Sequence, residues 1–373
     1  MNLPFLESYP WDLSPFYISF LISAVAAYPV LRMLLALKSR QIISQYTPEH
    51  QVKQGTPTMG GIIVAIGFLT GLISFIANHN VSVNYFLKPP LYIVGLFTGF
   101  ALIGFVDDFV VPRVFAGKRG LGWKQKIVMQ LALAGACIVP LTRFTWDTVA
   151  AIFLVLFFSN AYNFADGMDA LAALILLGLA GGLLAIAYLT SAHGVIPYLL
   201  ALLGSILPFL YLNKPKAKVF MGDVGSLPIG AVLGFVVAAL AMPGWTREFD
   251  RSDHRWVFDA APPFVSITMN WFVYLALVVI SGMMFVELVP PPLQILSVKI
   301  RKKKLFSFTP IHHAFQRKGW SELKVVLVFA LAQLLLSLIA VGIVYEGVTK
   351  EPPIVYHYLG NDNSSGGDLE FVR

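Results

Sequence analysis

Charge is scarce in this chain. Only 13% of its 373 residues are Asp, Glu, Lys or Arg, about half the ~25% that a soluble domain carries. So few charges cannot cover a water-exposed surface of this size, which excludes an ordinary soluble globular protein. Cysteine is almost missing as well. Cys137 stands alone in an apolar run, so no disulfide framework is expected and the residue reads as small packing. The first fifteen residues contain no Lys or Arg but hold Glu7 and Asp12, unlike a cleavable signal peptide. No internal repeat and no separate soluble domain are evident.

What is present is apolar sequence in long runs. Hydrophobic residues make up 57% of the chain and the mean hydropathy is +0.73. The runs are roughly 18–22 residues long, about what a hydrocarbon core of ~30 Å requires. Ten spans are predicted, at about 16–38, 59–77, 91–106, 127–141, 147–164, 171–190, 195–212, 225–242, 267–289 and 323–345. Backbone polar groups in lipid must be satisfied within the segment, so each span is expected to be a helix. The fold class is therefore all-α and polytopic, with about ten transmembrane helices in one domain over 1–345. A polar Gly/Ser/Asn-rich tail follows over 346–373, and a charged, Pro-containing loop occupies 243–266.

Charge then sets the orientation. With the N-terminus outside, the inner loops near 38–53, 113–126, 214–218 and 299–318 hold 18 of the 27 Lys and Arg residues, and outer segments hold 7. This positive-inside bias predicts that both termini are periplasmic. It also accounts for the net charge of +7 without a nucleic-acid partner. The run Lys299-Ile-Arg-Lys-Lys-Lys304 reads as an anchor to anionic headgroups of the membrane lipid.

In that topology five polar clusters share the inner side. They are Lys53-Gln-Gly-Thr-Pro-Thr-Met-Gly-Gly61, Asp107-Asp108, Asn160-Ala-Tyr-Asn163-Phe-Ala-Asp166-Gly-Met-Asp169, Phe220-Met-Gly-Asp223-Val-Gly-Ser226, and Pro310-Ile-His312-His313. Asp107 and Asp108 close the third span. Carboxylates at headgroup depth would suffice to explain them, because the cost of burial falls toward the interface. The alternative is a base or a metal-facing carboxylate, and neighbours ~100° apart on a helix need not share one role. Asn163, Asp166 and Asp169 would lie on one stripe of a helix. Capping could explain Asp166 but not the set. Asp223 could be an N-cap beside turn glycines. A carboxylate and free N–H groups at a helix start also suit a Mg²⁺–phosphate site. His312 and His313 lack the further N or S ligands that a zinc site would need.

The clusters, in this order and along about 16–345, resemble the phospho-N-acetylmuramoyl-pentapeptide transferases. These lie within the superfamily of polyprenyl-phosphate N-acetylhexosamine-1-phosphate transferases. The carrying residues are 53–61, Gly104-Phe-Val-Asp107-Asp108, Asn163-Phe-Ala-Asp166-Gly-Met-Asp169, Phe220 to Ser226, Val286-Glu287, and Pro310 to His313 with Lys318-Gly-Trp320. The resemblance implies transfer of a phosphosugar from UDP-N-acetylmuramoyl-pentapeptide to undecaprenyl phosphate, with Mg²⁺ as cofactor. It also implies a homodimer in the bacterial cytoplasmic (inner) membrane, with the active site on the cytoplasmic face.

Carried over by position, Asp223 is the implied Mg²⁺ ligand and Asn163 a second candidate. Asp107 would orient or deprotonate the lipid phosphate, supported by Asp108. Lys53, Gly167, Met168, Asp169 and Phe220 would hold the uridine, with Asp166 in the same substrate-binding set. Lys126 would sit near the diphosphate, and His312 and His313 near the sugar-phosphate. The chain departs from the family pattern at Ala314 and Gln316 in the His loop, at Phe109-Val110-Val111, at Ala170, at Pro290-Pro-Pro292 and in the 243–266 loop. Two other readings compete with the muramoyl-pentapeptide transferase: a sibling N-acetylglucosamine-1-phosphate transferase, and a secondary transporter. The transporter would require inverted-repeat halves with polar residues near the midplane, and no such halves are evident.

Overall fold

The computed structural model describes residues 12–37, 55–78, 89–115, 118, 120–142, 145–190, 192–242 and 267–350, with two-residue strand pairs at 249–250/255–256 and 356–357/370–371. Its elements are helical because the sequence offers long apolar stretches with no water to satisfy an open backbone. In chain order they are α1 (Ser14–Ala36), α2 (Gly61–Asn78), α3 (Pro89–Phe105), α4 (Val111–Val114), α5 (Trp123–Thr142), α6 (Trp146–Ala165) and α7 (Leu171–Leu189). Then come α8 (Ile196–Asn213), α9 (Asp223–Ala241), α10 (Ile267–Ile280), α11 (Gly282–Leu288), α12 (Pro290–Arg301), α13 (Ile311–Arg317) and α14 (Glu322–Lys350). A π-helical turn, Val106–Val110, joins α3 to α4 in one rod. Ten helical stretches among the described residues are long and apolar enough to cross a membrane.

Helix α9 is the axis of the bundle. Almost all of its side chains are buried, and it packs on α6 and on α3. Glycines at four-residue spacing let the backbones meet. A Cβ at Gly230 would lie 2.4 Å from the Phe158 carbonyl, and one at Gly234 would lie 2.5 Å from that of Leu154. Close approach at small residues is how helices associate where lipid provides no hydrophobic drive. Around this axis α1 packs on α2 and α8, and α14 packs on α7 and α10. The outer faces of α1, α5 and α14 expose large apolar side chains such as Val25, Val128 and Leu331.

The ninth predicted span, 267–289, is not one straight helix. It breaks at Ser281 into α10 and α11, because the α10 carbonyls find other donors there. Gln333 of α14 donates to the Ile280 carbonyl (3.1 Å) and the Ser281 hydroxyl donates to that of Leu277 (2.6 Å). Beyond the break α11 packs on α6. Pro290 then opens α12, whose Ile295 and Ile300 are 69% and 70% exposed. The last helix is also longer than expected, running to Lys350 through the predicted start of the tail at 346.

Candidate active site

The two adjacent aspartates share a site because the helix that carries them is locally wider. Pro112 has no N–H to give the Asp108 carbonyl, and its ring would clash with it. The rod responds with an i→i+5 turn, in which Val111 N–H bonds Val106 O. Such π turns recur at functional sites, and the wider turn narrows the angle between neighbouring side chains. Asp107 Oδ1 accepts the Leu121 N–H at 2.5 Å and its Oδ2 accepts Lys126 Nζ at 2.9 Å. Asp108 Oδ2 accepts the Asp223 N–H at 2.7 Å. The sequence reading set Asp107 and Asp108 about 100° apart; Pro112 was the signal that they converge.

At the head of α9 the N-cap position is Gly222 (φ 71°), and no side chain of the α9 segment caps the helix. A carboxylate just past the end of α6 and one from the π turn do so instead. Asp166 accepts the Gly222 N–H (3.1 Å) and Asp108 that of Asp223, where the helix dipole favours negative charge. The Asp223 carboxylate is thereby left for the site. Its Oδ1 accepts Asn163 Nδ2 at 2.7 Å, and Lys126 Nζ pairs with its Oδ2 while also holding Asp107. Asn163 Nδ2 further donates to Ser226 Oγ at 2.8 Å. So the amide nitrogen of Asn163, not the oxygen that could ligate, faces the carboxylate.

Asp107, Asp108 and Asp223 each offer an oxygen within 4.8 Å of the others. An all-oxygen set of few carboxylates suits Mg²⁺, which keeps water and takes substrate phosphate oxygens as its remaining ligands. Of the two residues expected as metal ligands, Asp223 lies in this cluster; Asn163 would need its amide turned over.

The 160–169 cluster requires a correction. Asp166 and Asp169 do not continue the face of Asn163, because α6 ends at Ala165 and the chain turns before α7 begins at Leu171. Asp166 points to Gly222, whereas Asp169 Oδ2 accepts the Ala217 N–H (3.0 Å). Burial and then the charge of Asp223 push the Asp166 carboxyl well above its ordinary range, against the Gly222 N–H. Met168 and Asp169 are buried, while Gly167 and Phe220 are half-buried. Ala170 adopts the left-handed conformation (φ 64°) at the head of α7.

Gly167 faces the His loop. A Cβ there would come within 2.3 Å of His312 Nε2, so only glycine lets the imidazole pack on the turn. Both His312 and Glu287 are fully buried, with His312 Nδ1 2.9 Å from Glu287 Oε2. The Phe306–Pro310 segment and α13 bring His313 beside His312 (ring centroids 4.2 Å apart), and His313 Nδ1 lies 3.0 Å from Gln316 Oε1. Gln316, at the position where the family pattern has an acidic residue, thus still contacts the histidine without a charge.

The 55–61 segment pairs with the backbone that leads into α9. Gly60 N–H bonds Phe220 O (2.7 Å), Gly61 N–H bonds Met221 O (2.9 Å) and Phe220 N–H bonds Pro57 O (2.9 Å). Lys53 lies outside the described residues. Two contributors escaped the sequence reading. Asn213 bonds Ala170 N–H (2.9 Å) and Val219 O (2.8 Å), and Glu322 accepts the Asp169 N–H (3.0 Å). Each stands at a helix end beside basic loop residues, where a polar residue draws no notice.

Comparison with known proteins gives this arrangement a family. A model described as glycosyl transferase family 4 matches residues 90–241. Signature 1 of the phospho-N-acetylmuramoyl-pentapeptide-transferases matches residues 53–64. The phospho-N-acetylmuramoyl-pentapeptide-transferase of Acetivibrio thermocellus is 33% identical over 364 residues, covering 91% of this chain and 96% of its own. That of Desulforamulus reducens is 32% identical over 347 residues, covering 86% and 92%. That of Bacillus subtilis is 30% identical over 344 residues, covering 87% and 95%. With identity at this level along nearly the whole of both chains, this protein belongs to the phospho-N-acetylmuramoyl-pentapeptide-transferase family.

Proposed function

We propose that this membrane enzyme moves phospho-N-acetylmuramoyl-pentapeptide from its UDP carrier to undecaprenyl phosphate, at the cytoplasmic face of the bacterial inner membrane. A lipid phosphate oxygen attacks the phosphorus that bears the sugar. The bond from that phosphorus to the uridylate oxygen breaks, UMP leaves, and a lipid-linked diphosphate remains. The observation that carries this reading is the convergence of Asp107, Asp108, Lys126, Asn163 and Asp223 from four different helical segments. A water-soluble nucleotide sugar and a lipid phosphate can meet only at such an interfacial cluster.

The chain's own groups divide the work. Asp223, with Asp107 and Asp108, would hold Mg²⁺, which supplies charge neutralisation on the diphosphate when bound. Lys126, already paired with two carboxylates, is placed to offer its ammonium to phosphate oxygens. Asp107 orients the lipid phosphate; this substrate is largely ionised at neutral pH, so positioning and electrostatics suffice without an obligatory base. The turn at 166–170 and Phe220 receive the uridine, with Lys53 added from its own segment. His312, backed by Glu287, lies against that turn near the sugar-phosphate.

The test is UMP release from purified protein in detergent or nanodiscs. Release is expected only when UDP-N-acetylmuramoyl-pentapeptide, undecaprenyl phosphate and Mg²⁺ are all present. An Asp223→Asn variant should lose about 100-fold or more in kcat, the scale of removing a preorganised electrostatic group. Full activity in that variant would overturn the metal assignment. Product from UDP-N-acetylglucosamine alone would transfer the protein to the sibling activity.

A further inference from the structure

The turn between α6 and α7 is held only in part by its two helices. The Asp166 N–H bonds the Tyr162 carbonyl, and the Met168 and Ala170 carbonyls accept the Leu171 and Leu174 N–H groups. The Asp169 and Ala170 N–H groups go to other elements. The turn contains Ala170 at φ 64°, a conformation that an L-residue other than glycine adopts only against a steric cost. Something outside the turn must therefore fix it. Besides the Asp166 bond to the Gly222 N–H, three hydrogen bonds do so. Asn213 accepts the Ala170 N–H, the Asp169 carboxylate accepts the Ala217 N–H, and the Asp169 N–H donates to Glu322 Oε1. The first two tie the turn to the 213–219 connection beside it. The third reaches the first residue of α14, a 29-residue helix packed against α7 and α10. A half-buried carboxylate on so long a helix is a fixed reference point for a strained turn.

We propose that Glu322 is a positioning residue for the nucleotide sugar: by accepting the Asp169 N–H it sets the 166–170 turn against α14. The inference rests on the proposed function, which has this turn receive the uridine. Glu322 touches no reacting atom, so it acts on how well the nucleotide is held and not on the transfer step. A carboxylate in the first turn of a helix also favours the helix dipole. A merely structural role of that kind would change stability without separating the two substrates.

Steady-state kinetics in both substrates on Glu322→Ala and Glu322→Gln variants separate these cases. The Ala variant should raise KM for UDP-N-acetylmuramoyl-pentapeptide by about fivefold or more, the scale of one lost charge-assisted hydrogen bond. Its kcat and its KM for undecaprenyl phosphate should stay within about twofold, a shift too small to mark a lost hydrogen bond. The Gln variant keeps an acceptor oxygen and should recover most of the loss. Hydrogen exchange of the 166–170 amides should quicken in the Ala variant and much less in the Gln variant. Unchanged exchange there, or an equal KM rise in both variants, overturns the proposal. Should Glu322→Ala fail to fold, Glu322→Asp, one methylene shorter, must show the same split. If the unaltered protein releases no UMP from this nucleotide sugar, the functional reading falls, and hydrogen exchange alone still decides whether Glu322 restrains the turn.

Discussion

Asp166 is the residue at which placement and chemistry are most closely bound. It caps α9 through the Gly222 N–H yet lies half-buried near the charge of Asp223, so desolvation and that charge push its carboxyl well above the ordinary value of 3.8. The folded protein therefore holds this proton over a range where the unfolded chain has released it. The stability it contributes is fully present below the unfolded pKa and is lost as pH rises through the raised folded value. An Asp166→Asn variant keeps an oxygen for the Gly222 N–H and cannot ionise. In metal-free protein its melting temperature should gain on that of the parent as pH is raised from acid to neutral. A constant difference across that range would refute the raised pKa. At the same scale, Gly167 and His312 show a requirement in space: the glycine is there because an imidazole nitrogen occupies the position of its side chain.

Among the elements, α9 carries the most. It delivers Asp223 to the site, and its contact with α6 aligns Asp223 with Asn163. The Gly234 contact with the α6 backbone lies on that seam. A Gly234→Leu variant must push the helices apart or shift α9 along its axis, since packed interiors give little room for added volume. The expected cost is about 1–3 kcal/mol or more, seen as a lower melting temperature in detergent, together with loss of UMP release. A variant with parental stability and activity would show that this seam does not align the site. The broken α10–α11 pair and the π turn before α4 follow the same logic. Each is a departure from a regular helix with an identifiable cause, the Gln333 bond to a freed carbonyl in one and Pro112 in the other. Each re-aims acidic side chains, Glu287 in one case and Asp107 with Asp108 in the other.

At the scale of the whole molecule, charge bias argues for both termini outside. The chain suits a direct test because Cys137, its one cysteine, is buried. A cysteine placed at the exposed Lys302 should react with an impermeant maleimide in spheroplasts only after the membrane is opened. One placed at Ser364 in the tail should react from the outside without opening. The reverse pattern would invert the topology and with it the cytoplasmic site.

Membrane character, the number of spans and the residue types of the site were legible in the sequence. Run length and the scarcity of charge are properties of composition that no folding can alter. The clusters at 53–61, 107–108, 163–169 and 220–226 were legible because polar residues stand out in apolar sequence. What the linear chain could not reveal is which of them touch. Asp108 and Asp223 are 115 residues apart, and Asp169 and Glu322 are 153 apart. Helical periodicity also misled at 163–169, where a turn replaces the expected stripe, because the bonds that hold that turn come from Asn213 and Glu322 on other elements. Sequence determines where the backbone must be helical and which groups cannot remain in lipid. Only tertiary packing decides which of those groups converge, because their partners come from separate helices whose approach is set by their packing, including the close contacts at Gly230 and Gly234.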